Sequence, residues 1–156
     1  MKQRVMITAA AAGIGRAIAK AFYDDGAKVH ICDVNEQALA AFREEFHDIA
    51  ATHVNVANEA EVDTWFDEAL EDLGGLDVLV NNAGVKGPTA PIDDVEYADW
   101  KECLAICLDS HFLCARRAAP VMKANKSGAI INISSTAGLY GFGNRTPYAA
   151  KWAVIG

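Results

Sequence analysis

A doubly wound α/β fold, one parallel sheet between two layers of helices, is the fold class this sequence predicts. Short apolar runs rich in β-forming residues alternate with longer stretches whose apolar residues recur at helical spacing, five times along the chain. Strands that alternate with helices pair in parallel through right-handed crossovers, which places helices on both faces. The fourth run, LDVLVNNAG, is apolar almost throughout its first half, as a strand covered on both faces must be. The 156 residues suit one domain spanning 1–156, with no linker, repeat or low-complexity tract.

The first strand is RVMIT. AAAAGIG then turns into a helix over RAIAKAFYDDGA, where Ile14, Ile18, Ala21 and Phe22 predict a buried stripe and Gly26 a stop. KVHICDV is the second strand. NEQALAAFREEF is a helix capped by Asn35. IAATHVNV is the third strand, and Asn58 opens the helix EAEVDTWFDEALEDL, which Gly74 and Gly75 close. After the fourth strand, VKGPTAPIDDVEY reads as a loop, and one long helix is predicted from Tyr97 or Asp99 to Met122. GAIINISS is the fifth strand and TAGLYGFGNRTP a Gly-rich loop. Pro147, with no N–H to lose, suits the first turn of a final helix.

Composition narrows the function. Hydrophobic residues make up 52% and charged residues 22%, which argues for a folded soluble chain. The net charge is −7 and no Lys/Arg-rich run interrupts it, so nucleic acid is not an expected partner. No apolar run approaches the ~20 residues of a membrane span. The expected compartment is the cytoplasm, because the N-terminal apolar stretch reads as a strand and turn rather than a leader. Cys32, Cys103, Cys107 and Cys114 include no C-x-x-C pair and are expected to pack as reduced, small apolar groups. No metal site is expected.

Two features point to a nucleotide. Gly13 and Gly15 lie where backbone can approach a pyrophosphate at a helix N-terminus, although a tight strand–helix turn would use the same glycines. Asp33 ends the second strand 18 residues after Gly15. A carboxylate there accepts from the ribose hydroxyls of NAD and repels the extra phosphate of NADP; it could also cap the helix that follows.

Taken together, TAAAAGIG, ICDV, LVNNAG, INISS and PYAAKWAVIG, in this order and spacing, resemble the short-chain dehydrogenase/reductase family across essentially the whole chain. The resemblance implies a Rossmann-type dinucleotide site built from Thr8, Gly13, Ile14, Gly15, Asp33, Val34, Asn55, Val56, Asn82, Ala83, Gly84, Tyr148 and Lys151. It also implies that Asn81 supports the central strand. By the same likeness Ser135 polarises the substrate oxygen, Tyr148 is the general acid/base, and Lys151 holds the ribose and assists the tyrosine. A free tyrosine titrates near 10 and is a poor base at neutral pH; a neighbouring ammonium favours its phenolate. The implied activity is NAD-dependent hydride transfer with a secondary alcohol or ketone, of the 3-oxoacyl reductase or sugar/alcohol dehydrogenase kind, in a homo-oligomer (dimer or tetramer). Two further strands and a substrate-covering loop are expected beyond Gly156.

Four positions depart from that pattern. Ala9 stands where the family has a glycine, so a strained or rebuilt turn is expected. Asn55 replaces an aspartate, and Cys107 replaces a helix asparagine that holds a water beside the lysine. Tyr148 and Lys151 are three residues apart, where the family has four. On an α-helix that change swings the lysine by about 100°. Restoring a small residue before Lys151 would match the family pattern. Two other readings therefore stand beside the enzyme: a catalytically impaired nucleotide-binding relative, and a fragment unable to act alone.

Overall fold

The computed structural model describes residues 2–154, except for the side chain of Trp152. Five strands form one sheet: β1 (Arg4–Thr8), β2 (Lys28–Asp33), β3 (Ala50–His53), β4 (Val78–Asn81) and β5 (Ala129–Asn132). Their order is β3-β2-β1-β4-β5, and every pairing is parallel. The helices between them are α1 (Gly13–Asp24), α2 (Glu36–Glu45) and α3 (Glu59–Leu73), then α4 (Tyr97–Leu104) and α5 (Ser110–Asn125).

Alternation along the strands assigns the two faces. Val5, Ile7, Val29, Ile31, Val78 and Val80 pack with Ala19 of α1 and Leu39 and Phe42 of α2. Met6, Cys32 and Leu79 point the other way, to Trp65 and Phe66 of α3 and Cys114 and Ala118 of α5. The fold is therefore doubly wound, as the sequence predicts. The strand order reverses between β1 and β4, which opens a crevice at their C-terminal ends.

Local chemistry sets the helix limits. The Asn35 side chain accepts from the Ala38 N–H at 3.0 Å, and that of Asn58 from the Ala60 N–H at 3.0 Å. Glu61 returns the second cap by accepting from the Asn55 N–H at 2.7 Å and from Asn58 Nδ2 at 2.9 Å. Gly74, at φ 72°, ends α3 in the left-handed region.

Several expectations are corrected. The stripe on α1 is Gly15, Ile18, Ala19 and Phe22, while Ile14 and Ala21 are exposed. Ile14 belongs to the first turn and faces outward beside the crevice. The single helix expected from Tyr97 to Met122 is interrupted by a π-helical segment, Ala105–Asp109. The Ser110 hydroxyl donates to the Ile106 carbonyl at 2.7 Å, and the wider turn lays Cys107 against Val85. The Gly-rich loop after β5 contains a one-turn helix, α6 (Thr136–Leu139). The final helix is α only over α7 (Thr146–Ala149), with Pro147 in its first turn, and continues as a 3-10 segment over Ala150–Val154. The third and fifth strands are shorter than expected, and β5, at the sheet edge, is exposed along its length.

Candidate active site

The turn after β1 and the turn after β4 lock each other. Thr8 Oγ1 accepts from the backbone N–H groups of Asn82 (2.9 Å) and Ala83 (3.0 Å). Asn82 Nδ2 donates back to the carbonyls of Thr8 (3.1 Å) and Ala9 (2.9 Å). That clamp holds Ala9 at φ 51°, a conformation that costs an alanine about 1–2 kcal/mol. The turn is thus kept rather than rebuilt, and the strain sits in it. A Cβ on Gly15 would overlap the Ala9 carbonyl and Asn82 Nδ2, so no other residue brings α1 this close to β1.

The first turn of α1 is left open. Its N-cap, Ala12, makes no side-chain bond, and no acidic residue stands in the turn. Gly13 is at φ 55° with open space beside its Cα. Ile14 (68% exposed) and Val34 (62%) present apolar surface next to these free N–H groups. Asp33 anchors the neighbouring turn: Oδ2 accepts from the Ala11 N–H and Oδ1 from the Asn35 N–H, both at 3.0 Å. It does not cap α2, which Asn35 does. Uncapped donors, a carboxylate at the end of β2 and apolar rims suit an adenosine diphosphate moiety. Asn55 is exposed; its Oδ1 accepts from the Ala57 N–H at 3.0 Å. The Val56 side chain lies in the core with Trp65.

At the other end of the crevice, the shortened Tyr148–Lys151 spacing meets a change of helix type. An α-helix would leave Lys151 about 60° short of Tyr148. The 3-10 segment turns about 120° per residue and reduces the shortfall to about 20°. Lys151 Nζ accordingly lies 5.6 Å from the centre of the Tyr148 ring. The side chain is 4% exposed, and no carboxylate pairs with it among the described residues. Its ammonium lies over Gly84, where a Cβ would overlap it. Ser134 Oγ fixes the segment by donating to the Lys151 carbonyl at 2.9 Å. Ser135 Oγ accepts from the Ala137 N–H at 3.2 Å and so caps α6, which leaves its own proton to donate.

Cys107 Sγ engages both backbone groups of Val85: it accepts from the N–H at 3.4 Å and donates to the carbonyl at 3.2 Å. Cys103 Sγ is 3.9 Å away. Burial pushes the Cys103 thiol up to about 12, with Cys107 adding to the rise and Lys151 opposing it. Burial also pushes Cys114 to about 12 and Cys32 well above its usual range. All four cysteines are free and buried.

Two site residues escaped the sequence reading. His111, one turn beyond Cys107, bonds through Nε2 to the Ala83 carbonyl at 3.3 Å; burial lowers its pKa and Lys151 lowers it further. Its spacing from Cys107 was the available signal. Arg145, three residues before Tyr148, bonds the Lys86 carbonyl at 3.3 Å; nothing in its surroundings in sequence marks it. A separate concavity of about 870 Å³ opens at the N-terminal ends of the strands, lined by Arg4, Lys28, Asp77 and Ser127 among others, and touches none of the site residues.

A parallel sheet with an uncapped helix terminus at its switch point, and a buried lysine beside a tyrosine at the other end of the crevice, defines a protein of the dinucleotide-fold class. The chain belongs to the short chain dehydrogenase family, whose model matches residues 3–156. It is 38% identical over 153 residues to cis-4-hydroxycyclohexanecarboxylate dehydrogenase of Sinomonas cyclohexanicum, covering 96% of this chain and 61% of that protein. Levodione reductase superposes with a TM-score of 0.93 at 29% identity, covering 99% of this chain and 64% of that one. NAD+-bound xylitol dehydrogenase gives 0.91 at 30%, covering 98% and 61%. The chain spans about three fifths of the length of the curated relatives it matches.

Proposed function

We propose that this chain carries the cofactor site and catalytic residues of an NAD-dependent oxidoreductase acting on a secondary alcohol or its ketone. The observation that carries the reading is the buried Lys151 ammonium beside Tyr148, kept in place by a 3-10 turn despite the short spacing. A bound nicotinamide cofactor supplies the hydride acceptor or donor. Thr8, Gly13, Ile14, Gly15 and Asn82 to Gly84 would hold it, with Asn55 and the Val56 backbone at its adenine end. Asp33 and Val34 flank the ribose, and the Asp33 carboxylate favours NAD over NADP by charge repulsion.

For alcohol oxidation the Tyr148 phenolate takes the hydroxyl proton, and for ketone reduction the phenol returns it. Lys151 brings its ammonium to 5.6 Å from the centre of the Tyr148 ring, where it would hold the cofactor ribose and orient the tyrosine. Ser135 donates to the substrate oxygen where charge develops. The relatives' substrates, a hydroxycyclohexanecarboxylate and levodione, support a small alcohol or ketone as the substrate class. Tyr148→Phe is expected to lower kcat with NAD+ and a panel of secondary alcohols by about 10²–10⁴ while leaving NADH binding intact. Unchanged turnover would overturn the assignment.

One observation favours a second reading, a nucleotide-binding relative with impaired catalysis. Cys107 spends its thiol on Val85 and offers nothing to a water beside Lys151. Calorimetric NADH binding together with absent turnover across the panel would select it.

A further inference from the structure

We infer that Arg145 is a specificity residue that binds the carboxylate of a hydroxy or keto acid with an apolar body. The inference rests on the oxidoreductase reading above and names its substrate class.

Six arginines occur in the chain, and five stand against carboxylates. Arg4 pairs with Asp77, Arg16 with Glu45, Arg43 with Glu36, Arg116 with Glu59 and Arg117 with Asp63. The chain is acidic, so partners are plentiful, yet among the described residues Arg145 has none. It spends Nη1 on the Lys86 carbonyl, while its Nε is buried without a hydrogen-bond partner. Nε and Nη2 form one edge of the guanidinium plane, the edge that grips a carboxylate with two parallel bonds. A buried donor left unmatched calls for an acceptor from outside the chain.

Its position fits a substrate contact. Arg145 immediately precedes α7 and lies three residues before Tyr148. Through Lys86 it ties α7 to the segment that begins at Gly84, under the Lys151 ammonium. Leu139, Tyr140 and Phe142, on the loop leading to it, are exposed, and the Phe142 ring lies 6.0 Å from the guanidinium carbon. A half-buried cation with an unmatched donor beside an apolar wall matches a molecule with an acid group and a hydrocarbon body. Asp99 and Glu102 line a different cleft of about 280 Å³ with Val85, Gly87 and Cys103, and neither pairs with Arg145. A purely structural tie between the two loops would need only the bond to Lys86, and it leaves the Nε edge unexplained.

The test uses the protein with its complete chain, NAD+, and hydroxy acids with alkyl or cycloalkyl bodies, each beside its methyl ester. The wild type is expected to favour acid over ester by about tenfold or more in kcat/KM, as a charge-assisted pair allows. Arg145→Met is expected to bring that ratio near one, mainly through KM for the acid. Arg145→Lys is expected to fall between, because a lysine keeps the charge and loses the fork. A wild-type ratio near one, a ratio unchanged in Arg145→Met, or an equal loss on acid and ester overturns the inference in favour of a loop tie. If no alcohol in the panel turns over, the oxidoreductase reading fails and binding decides. Calorimetric titration of cyclohexanecarboxylate in the presence of NADH should then show a Kd raised about tenfold or more in Arg145→Met. Equal affinity, or no binding to either protein, overturns the inference.

Discussion

Residues 4–81 and residues 82–154 are held together in different ways. In the first region every central strand is buried on both faces, and Arg4 grips Asp77 through Nε (2.9 Å) and Nη2 (2.7 Å). In the second region β5 is exposed, two helices are four residues long, and the chain changes helix type twice. Packing sustains the first region, whereas the second holds, among the described residues, a buried lysine without a carboxylate and an arginine whose Nε has no partner. The contrast separates a scaffold, whose residues are spent on one another, from a site whose residues remain available.

The largest expected effect lies in the scaffold. Trp65 is fully buried between His30 and Phe66. Trp65→Ala should cost about 3–5 kcal/mol of stability, measured by urea denaturation. A loss under about 1 kcal/mol would mean that the first region is not the densely packed one.

Gly84→Ala tests the opposite case. The new Cβ would overlap Lys151 Nζ, the far end of a flexible side chain, so the fold yields at small cost. In the proposed mechanism catalysis depends on that ammonium, and a displacement near 1 Å is expected to lower kcat about a hundredfold with the melting temperature little changed. Loss of stability without loss of rate would reverse the roles assigned to the two regions.

A large part of this division was legible in the sequence. The periods of 2 and 3.6, the Asn35 and Asn58 caps and Gly74 led to five parallel strands and the helices between them, because burial there follows spacing. The turn after β1 was legible too, including the strain at Ala9. The π segment around Cys107 and the 3-10 turn at Lys151 were not. Bonds to i−3, i−4 or i−5 differ little in local energy, and contacts with Val85 and Gly84 from distant sequence decide among them. Ile14 was misread because periodicity continues into a first turn that faces the crevice. Arg145 carries no pattern at all; only the absence of a partner in space marks it.

Buried histidines give a third, smaller contrast, one in each region. His30 bonds Thr52 through Nε2 at 3.0 Å and faces Asp72 at 3.3 Å, with Glu68 nearby; burial outweighs both carboxylates and lowers its pKa. His111 is lowered by burial and by Lys151, against the Ala83 carbonyl. Both are held neutral in the folded chain, so the unfolded chain binds more protons below the ordinary histidine value. Stability is complete above about pH 6.5 and falls as pH drops through the lowered folded values. Urea midpoints between about pH 7.5 and about pH 5 should decline in the wild type. His30→Gln should flatten the decline in part and leave the share of His111. A slope unaffected by His30→Gln would place the proton uptake outside the scaffold.

The smallest effect is expected at Ile131, which pairs in register with Val80. Val80 is 1% exposed and Ile131 42%, so a single ladder step crosses from the packed region to the open one. Ile131→Ser removes little buried surface and should change the stability of this chain by no more than about 1 kcal/mol, chiefly through weaker strand propensity. Urea denaturation of the two proteins under one set of conditions measures it. A cost above about 2 kcal/mol would mean that something packs over β5 in the folded chain, and the boundary between scaffold and site would then lie beyond β5 rather than at the end of β4.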